Sequence, residues 1–155
     1  MKKSICFGLI TFLFGILFAS AEKSNIPANL TATDAINYIN GKIKGTAQIK
    51  DNRGLMCVDF FDKGKVIRTD MVSFSDLDAD QVSYLNDEKA IVVKCEAKEC
   101  IDRKILVPKS RGRFSRISIQ GDFDEKTQQG LVHAFQHLIL LFRDPKYKSS
   151  QPFER

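Results

Sequence analysis

The sequence predicts an α+β domain in which an antiparallel meander of six or seven strands forms a bent or barrel-like sheet. Three observations lead to this class: a long amphipathic helix at residues 122–143, short apolar runs separated by turn signals before it, and a short capped helix from Thr31. Parallel neighbours would need a helix between strands, so short turns favour antiparallel pairing. We expect the long helix to plug the open face of the sheet.

Two lysines at the start of the chain precede an apolar run over residues 5–19, which ends in the small-residue pattern Ala-Ser-Ala. The run is shorter than the ~20 residues that a membrane-spanning helix needs. The pattern therefore predicts a signal peptide at residues 1–21. We expect export to the periplasm or the extracellular space, with no stable membrane anchor after cleavage.

The rest of the chain suits one compact domain at residues 31–143, between a leader at 22–30 and a polar tail at 144–155. The formal net charge of the whole chain is +5, and two of its lysines belong to the predicted signal peptide. This charge is too mild to indicate a nucleic-acid partner, and export removes most such partners.

The first predicted helix begins after Thr31, which can cap it together with Asp34 three residues later. Gly41 and Gly45 mark its end. Apolar side chains share one narrow face of this helix: Ala32, Ala35, Ile36, Ile39 and Ile43.

Turn signals at residues 51–54, 62–65 and 86–89 separate the strands that follow. The strands predicted from apolar runs are 55–61, 66–74, 90–95, 101–107 and 114–120. The acidic segment 75–84 is predicted to be a loop with room for one helical turn.

The last predicted helix carries Leu131, Phe135, Leu138 and Phe142 on one face. Carboxylates at its start suit a helix N-terminus, and Asp144-Pro145 ends it. Phe135 and Leu138 are therefore expected among the most buried side chains.

Cys95 and Cys100 are separated by four residues and flanked by apolar runs, which in an oxidising compartment predicts a disulfide across a hairpin. One detail opposes the hairpin. A four-residue loop would set apolar residues of the first strand opposite Lys104 and Asp102, unless a bulge restored the alternation. Cys57 is left over and is interpreted as a buried small apolar residue.

His133 and His137 have the spacing with which one helical face offers a metal two nitrogens. The residues between them lack the glutamate that zinc proteases place after the first histidine. Both lie on the polar face, where solvation is the simpler interpretation. We therefore predict no metal, no cofactor and no catalytic residue. A metal-dependent hydrolase that uses these two histidines is kept only as a contrasting hypothesis.

A concentrated basic patch comprises Lys109, Arg111, Arg113 and Arg116, with Lys104 upstream. Such a patch can bind an anionic sugar, a lipid head group or an acidic partner. It can equally be a loop and strand edge that charge keeps soluble and free of edge pairing, and this alternative is favoured. The sequence contains no Gly-rich phosphate loop or Gly-x-Ser-x-Gly motif, so we predict that the protein is not an enzyme.

Segments 34–40, 95–101 and 134–139 resemble short exported proteins of Bacteroidota-type bacteria, which open with a helix containing Tyr-Ile-Asn and close on one containing His-Leu-Ile. That family has no established activity, so the resemblance implies no site residue. It does imply that His137 belongs to the framework of the fold.

A meander followed by one amphipathic helix also resembles the pleckstrin-homology-like superfold, with lipocalin-like and cystatin-like arrangements as alternatives. Fold does not transfer function. The leading hypothesis is a small secreted or periplasmic non-enzymatic binding or adaptor module, whose partner is an unidentified protein or envelope component. The alternative is a carrier that holds a small apolar ligand between helix and sheet, which would require a cavity there.

Overall fold

The computed structural model describes residues 30–146, which form an α+β structure with eight antiparallel strands and a helix at each end. The predicted signal peptide, all but the last residue of the predicted leader, and the tail after Lys146 lie outside these residues. Neither helix in the described range combines the length and apolar composition that crossing a membrane would need.

The predicted α+β class with antiparallel strands is confirmed, and the described residues form two helices, eight strands and one short 3₁₀ turn at Phe74–Asp76. The helices are α1 (Ala32–Lys42) and α2 (Glu125–Arg143). The strands are β1 (Ala47–Asn52), β2 (Leu55–Asp62), β3 (Lys65–Ser73), β4 (Leu77–Leu85), β5 (Ala90–Cys95), β6 (Ile101–Ile105), β7 (Ser110–Phe114) and β8 (Arg116–Gln120).

The strands form two sheets that do not close into a barrel, so the prediction of one bent or barrel-like sheet was wrong. The large sheet has the order β1-β2-β3-β6-β7, and the small sheet has the order β4-β5-β8. The chain passes from one sheet to the other three times: at the 3₁₀ turn, between Cys95 and Ile101, and at Ser115. The prediction of six or seven strands was too low, because β4 lies in a segment predicted as a loop and β7 is polar and exposed along its whole length.

The acidic segment 75–84 was predicted as a loop, and this was wrong. Leu77, Ala79 and Val82 are buried, so β4 follows the alternation of a half-buried strand with one register shift before Ser83. The carboxylate of Asp78 accepts a hydrogen bond from the Asp80 backbone N–H at 2.9 Å. Asp78 and Asp80 therefore lie at outward positions of a strand, and Asp76 lies in the 3₁₀ turn before it.

Helix α1 begins with the predicted cap. The Thr31 hydroxyl accepts a hydrogen bond from the Asp34 N–H at 3.2 Å, and the Asp34 carboxylate accepts one from the Thr31 N–H at 3.0 Å. The bond from the Thr31 side chain also holds the pKa of Asp34 below its usual value. These bonds satisfy two backbone N–H groups at the start of the helix, where the helix itself supplies no carbonyl partner.

Helix α2 buries its apolar face against α1, the 3₁₀ turn and the small sheet. Leu131, Phe135 and Leu138 are all fully buried, as predicted. The ring of Phe142 stacks on that of Phe74 with centroids 4.2 Å apart. The helix therefore closes the core at the passage between the sheets, where β3 leads into β4.

Candidate binding surface

The structure places three residues of the predicted basic patch together and separates the fourth. Every residue of β7, the last strand of the large sheet, is exposed, and Lys109 is exposed in the turn just before it. Arg116 lies on β8 in the small sheet, where it forms an ion pair with Glu88 at 3.0 Å. The patch therefore reduces to Lys109, Arg111 and Arg113.

A groove of about 390 Å³ runs along the outer face of β3, β6 and β7. We call it the basic groove, and its lining residues are Met71, Asp102, Arg103, Lys104, Arg111, Gly112 and Arg113. Four of these residues are cationic and one is acidic. A second pocket, of about 420 Å³, shares Lys104 and Arg111 and includes Lys109. The cationic surface therefore continues from the groove to the turn before β7.

Strand register explains why these side chains converge. Lys104 pairs with Arg111 and Asp102 pairs with Arg113, so all four side chains stand on one face of β6 and β7. Met71 pairs with Asp102 from the other side, and this places a 43 % exposed apolar side chain on the floor of the groove. Asp102 is the carboxylate in the lining, and it lies 3.8 Å from Arg113.

The opposite face of the same strands carries a buried ion cluster that the sequence analysis missed. Asp70 is 0 % exposed and accepts two hydrogen bonds from Arg103, each 2.8 Å long. Arg68 approaches the same carboxylate at 3.2 Å. The guanidinium carbons lie close to aromatic rings: 3.5 Å from the Phe60 centroid for Arg68, and 4.1 Å from the Phe114 centroid for Arg103.

This cluster holds β3 and β6 in register at the base of the groove, because the bidentate bond joins their paired residues Asp70 and Arg103. Burial lowers the pKa of Arg68, and the nearby Asp70 charge opposes that shift. Within residues 30–146, Nε and Nη2 of Arg68 have no hydrogen-bond partner. Arg68, Asp70 and Val72 occupy every second position of β3, so they share one face of the strand. Because Val72 is apolar and buried, this spacing was the sequence signal that both charged side chains lie on the inner face.

The two edges of the large sheet differ in how their backbones are covered. At the β1 edge, the Asn40 side chain of α1 donates to the Ile49 carbonyl at 2.9 Å and accepts from the Ile49 N–H at 2.7 Å. At the β7 edge, no side chain of the described chain hydrogen-bonds to the backbone of residues 111–113. Within residues 30–146, the first edge is closed to a further strand at Ile49, and the second is open.

The histidines lie apart from this surface, on α2, and both are half-buried rather than fully solvated as expected. The Nε2 atom of His137 lies 2.9 Å from the Leu30 carbonyl oxygen, which ties α2 to the start of α1. Among residues 30–146, no His, Cys, Asp or Glu side chains form a group of three suited to a metal. The absence of a metal site in the whole protein stays a prediction.

Cys95 and Cys100 lie at disulfide-bonding distance, with Cα atoms 5.8 Å apart. The expected hairpin was wrong, because β5 and β6 belong to different sheets and do not pair. The conflict between core and solvent faces therefore does not arise. Cys57 is half-buried, not fully buried, and pairs with Met71 on the outer face of the large sheet. Partial burial raises the pKa of the Cys57 thiol, and the negative charge of the Asp59 carboxylate raises it further.

A third pocket, of about 410 Å³, lies between the end of α1 and the β1 edge and includes Asn40 and Phe61 in its lining. None of the three pockets is lined by a residue of α2. Comparisons of the chain with protein-family models, with curated proteins and with solved structures gave no match.

Proposed function

We propose that this protein is a non-enzymatic binding or adaptor module that recognises an acidic protein or envelope component through the basic groove. The observation that carries the proposal is the convergence of the Lys104, Arg111 and Arg113 side chains on one face of the groove, next to a single carboxylate. Such a surface favours a partner of opposite charge and speeds its association.

The geometry of the groove supports a recognition role for its outward cations. Arg103 is held by Asp70 on the opposite face, so it fixes β6 beneath the groove before a partner arrives. Arg111 and Arg113 are exposed, and the Asp102–Arg113 contact is both long and solvent-exposed. A contact of this kind contributes little to stability, so a partner carboxylate can replace it at small cost.

Export belongs to the same proposal. Disulfides persist in oxidising compartments, so the spacing of Cys95 and Cys100 supports a periplasmic or extracellular location. The signal peptide at residues 1–21 and the single domain at 31–143 complete that picture as predictions. The pleckstrin-homology-like arrangement also stays a prediction. The two open sheets and the helix that packs across one of them are the features that bear on it.

The alternative function, a carrier of a small apolar ligand, places its ligand between α2 and the sheets. Leu131, Phe135, Leu138 and Ile139 fill that region and are fully buried. The described pockets lie elsewhere, on the surface. The packing therefore favours the binding module over the carrier.

The test measures binding of fluorescent poly-L-glutamate to the purified protein at low and physiological salt. We expect salt-sensitive binding that Arg111→Gln with Arg113→Gln weakens roughly tenfold. The matched control is Lys65→Gln with Lys126→Gln, which removes the same charge from exposed sites outside the groove. Equal weakening by both variants would contradict the proposal, because binding would then follow net charge alone. Absence of binding to the wild-type protein would contradict it as well.

A further inference from the structure

We propose that β7 binds an extended acidic segment of a partner protein as an additional antiparallel strand of the large sheet, in which every described pairing is antiparallel. This inference rests on the proposed function and specifies the partner: a polypeptide in which acidic and apolar residues alternate. Strand addition of this kind takes its affinity from main-chain hydrogen bonds and its specificity from alternate side chains.

The first argument is the contrast between the two edges of one sheet. Asn40 occupies both hydrogen-bonding groups of Ile49 at the β1 edge, so that edge cannot accept a strand there. The β7 edge has all five residues exposed, and its backbone at residues 111–113 has no side-chain partner in the described part of the chain. Unpaired backbone groups in a row are a template for another strand.

The second argument is charge. Arg111 and Arg113 are two residues apart, so both point to the outer face, where Lys104 adds a third cation. A second copy of β7 would bring arginines against arginines, which disfavours self-pairing. An incoming strand with carboxylates at alternate positions would meet these cations directly. Charge complementarity therefore selects an acidic strand over another copy of this chain.

The third argument comes from the inner face of β7. Phe114 is 38 % exposed there, and its ring lies beside the Arg103 guanidinium. Gly112, on the same face, offers no side chain, and a Cβ at that position would approach the Phe114 ring to 3.2 Å. The Phe114 ring covers Gly112, so this side of the edge offers an aromatic surface, which suits the apolar residues that alternate with the acidic ones.

The fourth argument is preorganisation. Arg103 is joined to buried Asp70 on one side and lies over Phe114 on the other, and its Nη2 also donates to the Arg116 carbonyl at 3.1 Å. These contacts connect β3, β6 and the β7–β8 passage around one guanidinium. The edge is therefore held in strand geometry before a partner binds, which reduces the ordering cost of binding.

The experiment uses the exported chain and a fluorescein-labelled peptide in which Glu and Val alternate. Two N-methylated versions remove amide donors along one edge of the peptide or along the other. A third peptide has the same composition with its Glu and Val residues in separate blocks. We expect one N-methylated version to bind at least roughly tenfold more weakly than the other, and the block peptide to bind more weakly than the alternating one.

Amide hydrogen exchange locates the bound peptide. We expect it to slow exchange within residues 110–114 and to leave β1 unchanged. Binding that both N-methylated peptides retain, and that Arg111→Gln with Arg113→Gln removes, would overturn strand addition while leaving the proposed function intact. No salt-sensitive binding of any acidic probe would overturn both. Binding to phosphatidylglycerol vesicles without binding to the peptide would overturn the inference in favour of a lipid surface.

Discussion

The two ends of the large sheet have opposite surroundings. At the β1 end, Ala47 and Ile49 are buried and Asn40 covers the backbone edge. At the β7 end, both faces of the strand are exposed, and Arg111 and Arg113 mark its outer row. One end is built as the interior of a domain and the other as a surface.

This difference shows how the helices are used. The two helices pack against each other. Helix α1 also covers the β1 end of the large sheet, and α2 covers the 3₁₀ turn and the small sheet. In the described range, the β6–β7 end has no helix over it. It is organised from within by the cluster of Arg68, Asp70 and Arg103 instead. Apolar packing stabilises the first region, whereas a buried ion cluster supports the second.

The largest effect is expected at the helical side. Phe135→Ala removes a fully buried ring and should lower the free energy of unfolding by about 3–5 kcal/mol, measured by urea denaturation. The control is Leu140→Ala on the same helix, whose side chain is 56 % exposed and whose loss should cost less than about 0.5 kcal/mol. Equal costs would mean that α2 is not the core element.

The ion cluster should be nearly as sensitive. Asp70→Asn leaves two neighbouring guanidinium groups without their carboxylate and should cost about 3 kcal/mol. The control is Asp102→Asn, which removes an exposed carboxylate from the neighbouring strand β6 and should cost less than about 0.5 kcal/mol. Thermal or urea unfolding of both variants measures the contrast. A neutral Asp70→Asn would show that the cluster does not hold the β7 end together.

The disulfide should have a smaller effect, because it closes a short loop beside the start of β6. Cys95→Ser with Cys100→Ser should lower the free energy of unfolding by about 2 kcal/mol. The control is Cys57→Ser, which leaves the pair intact. Thiol labelling of the native exported protein gives the direct check, since three free thiols would exclude the bond.

The smallest effect on stability concerns the closed edge. Asn40→Ala leaves the Ile49 N–H and C=O without their side-chain partner, at a cost of about 1–2 kcal/mol. Asn37→Ala, at an exposed position of the same helix, should be close to neutral. If Asn40→Ala also promotes self-association, Asn40 acts as an edge cover; an unchanged stability and a monomeric protein would remove that role.

The sequence predicted the elements whose local signals agree with their tertiary environment. The Thr31 cap, the burial of Phe135 and Leu138, the antiparallel pairing and the proximity of Cys95 and Cys100 all followed from short-range patterns. These signals are local because a helix period, a capping box or a four-residue spacing needs no knowledge of distant contacts.

The missed features depend on long-range pairing. The division of the strands into two sheets is set at the 3₁₀ turn, at residues 96–100 and at Ser115, and no single run of residues specifies it. Acidic residues at the outward positions of β4 led to the prediction of a loop where the structure has a strand. Met71 lines the basic groove because β3 pairs with β6, and Arg116 lies outside the groove because β8 pairs with β5 in the small sheet.

Amide hydrogen exchange on the free protein tests the central claim, that one edge of the large sheet is closed and the other open. We predict that the Ile49 amide, which donates to Asn40, exchanges slowly. Within residues 110–114, the amides that point away from β6 should exchange far faster. Slow exchange of all β7 amides in the absence of a partner would contradict the account, because that edge would then already be covered.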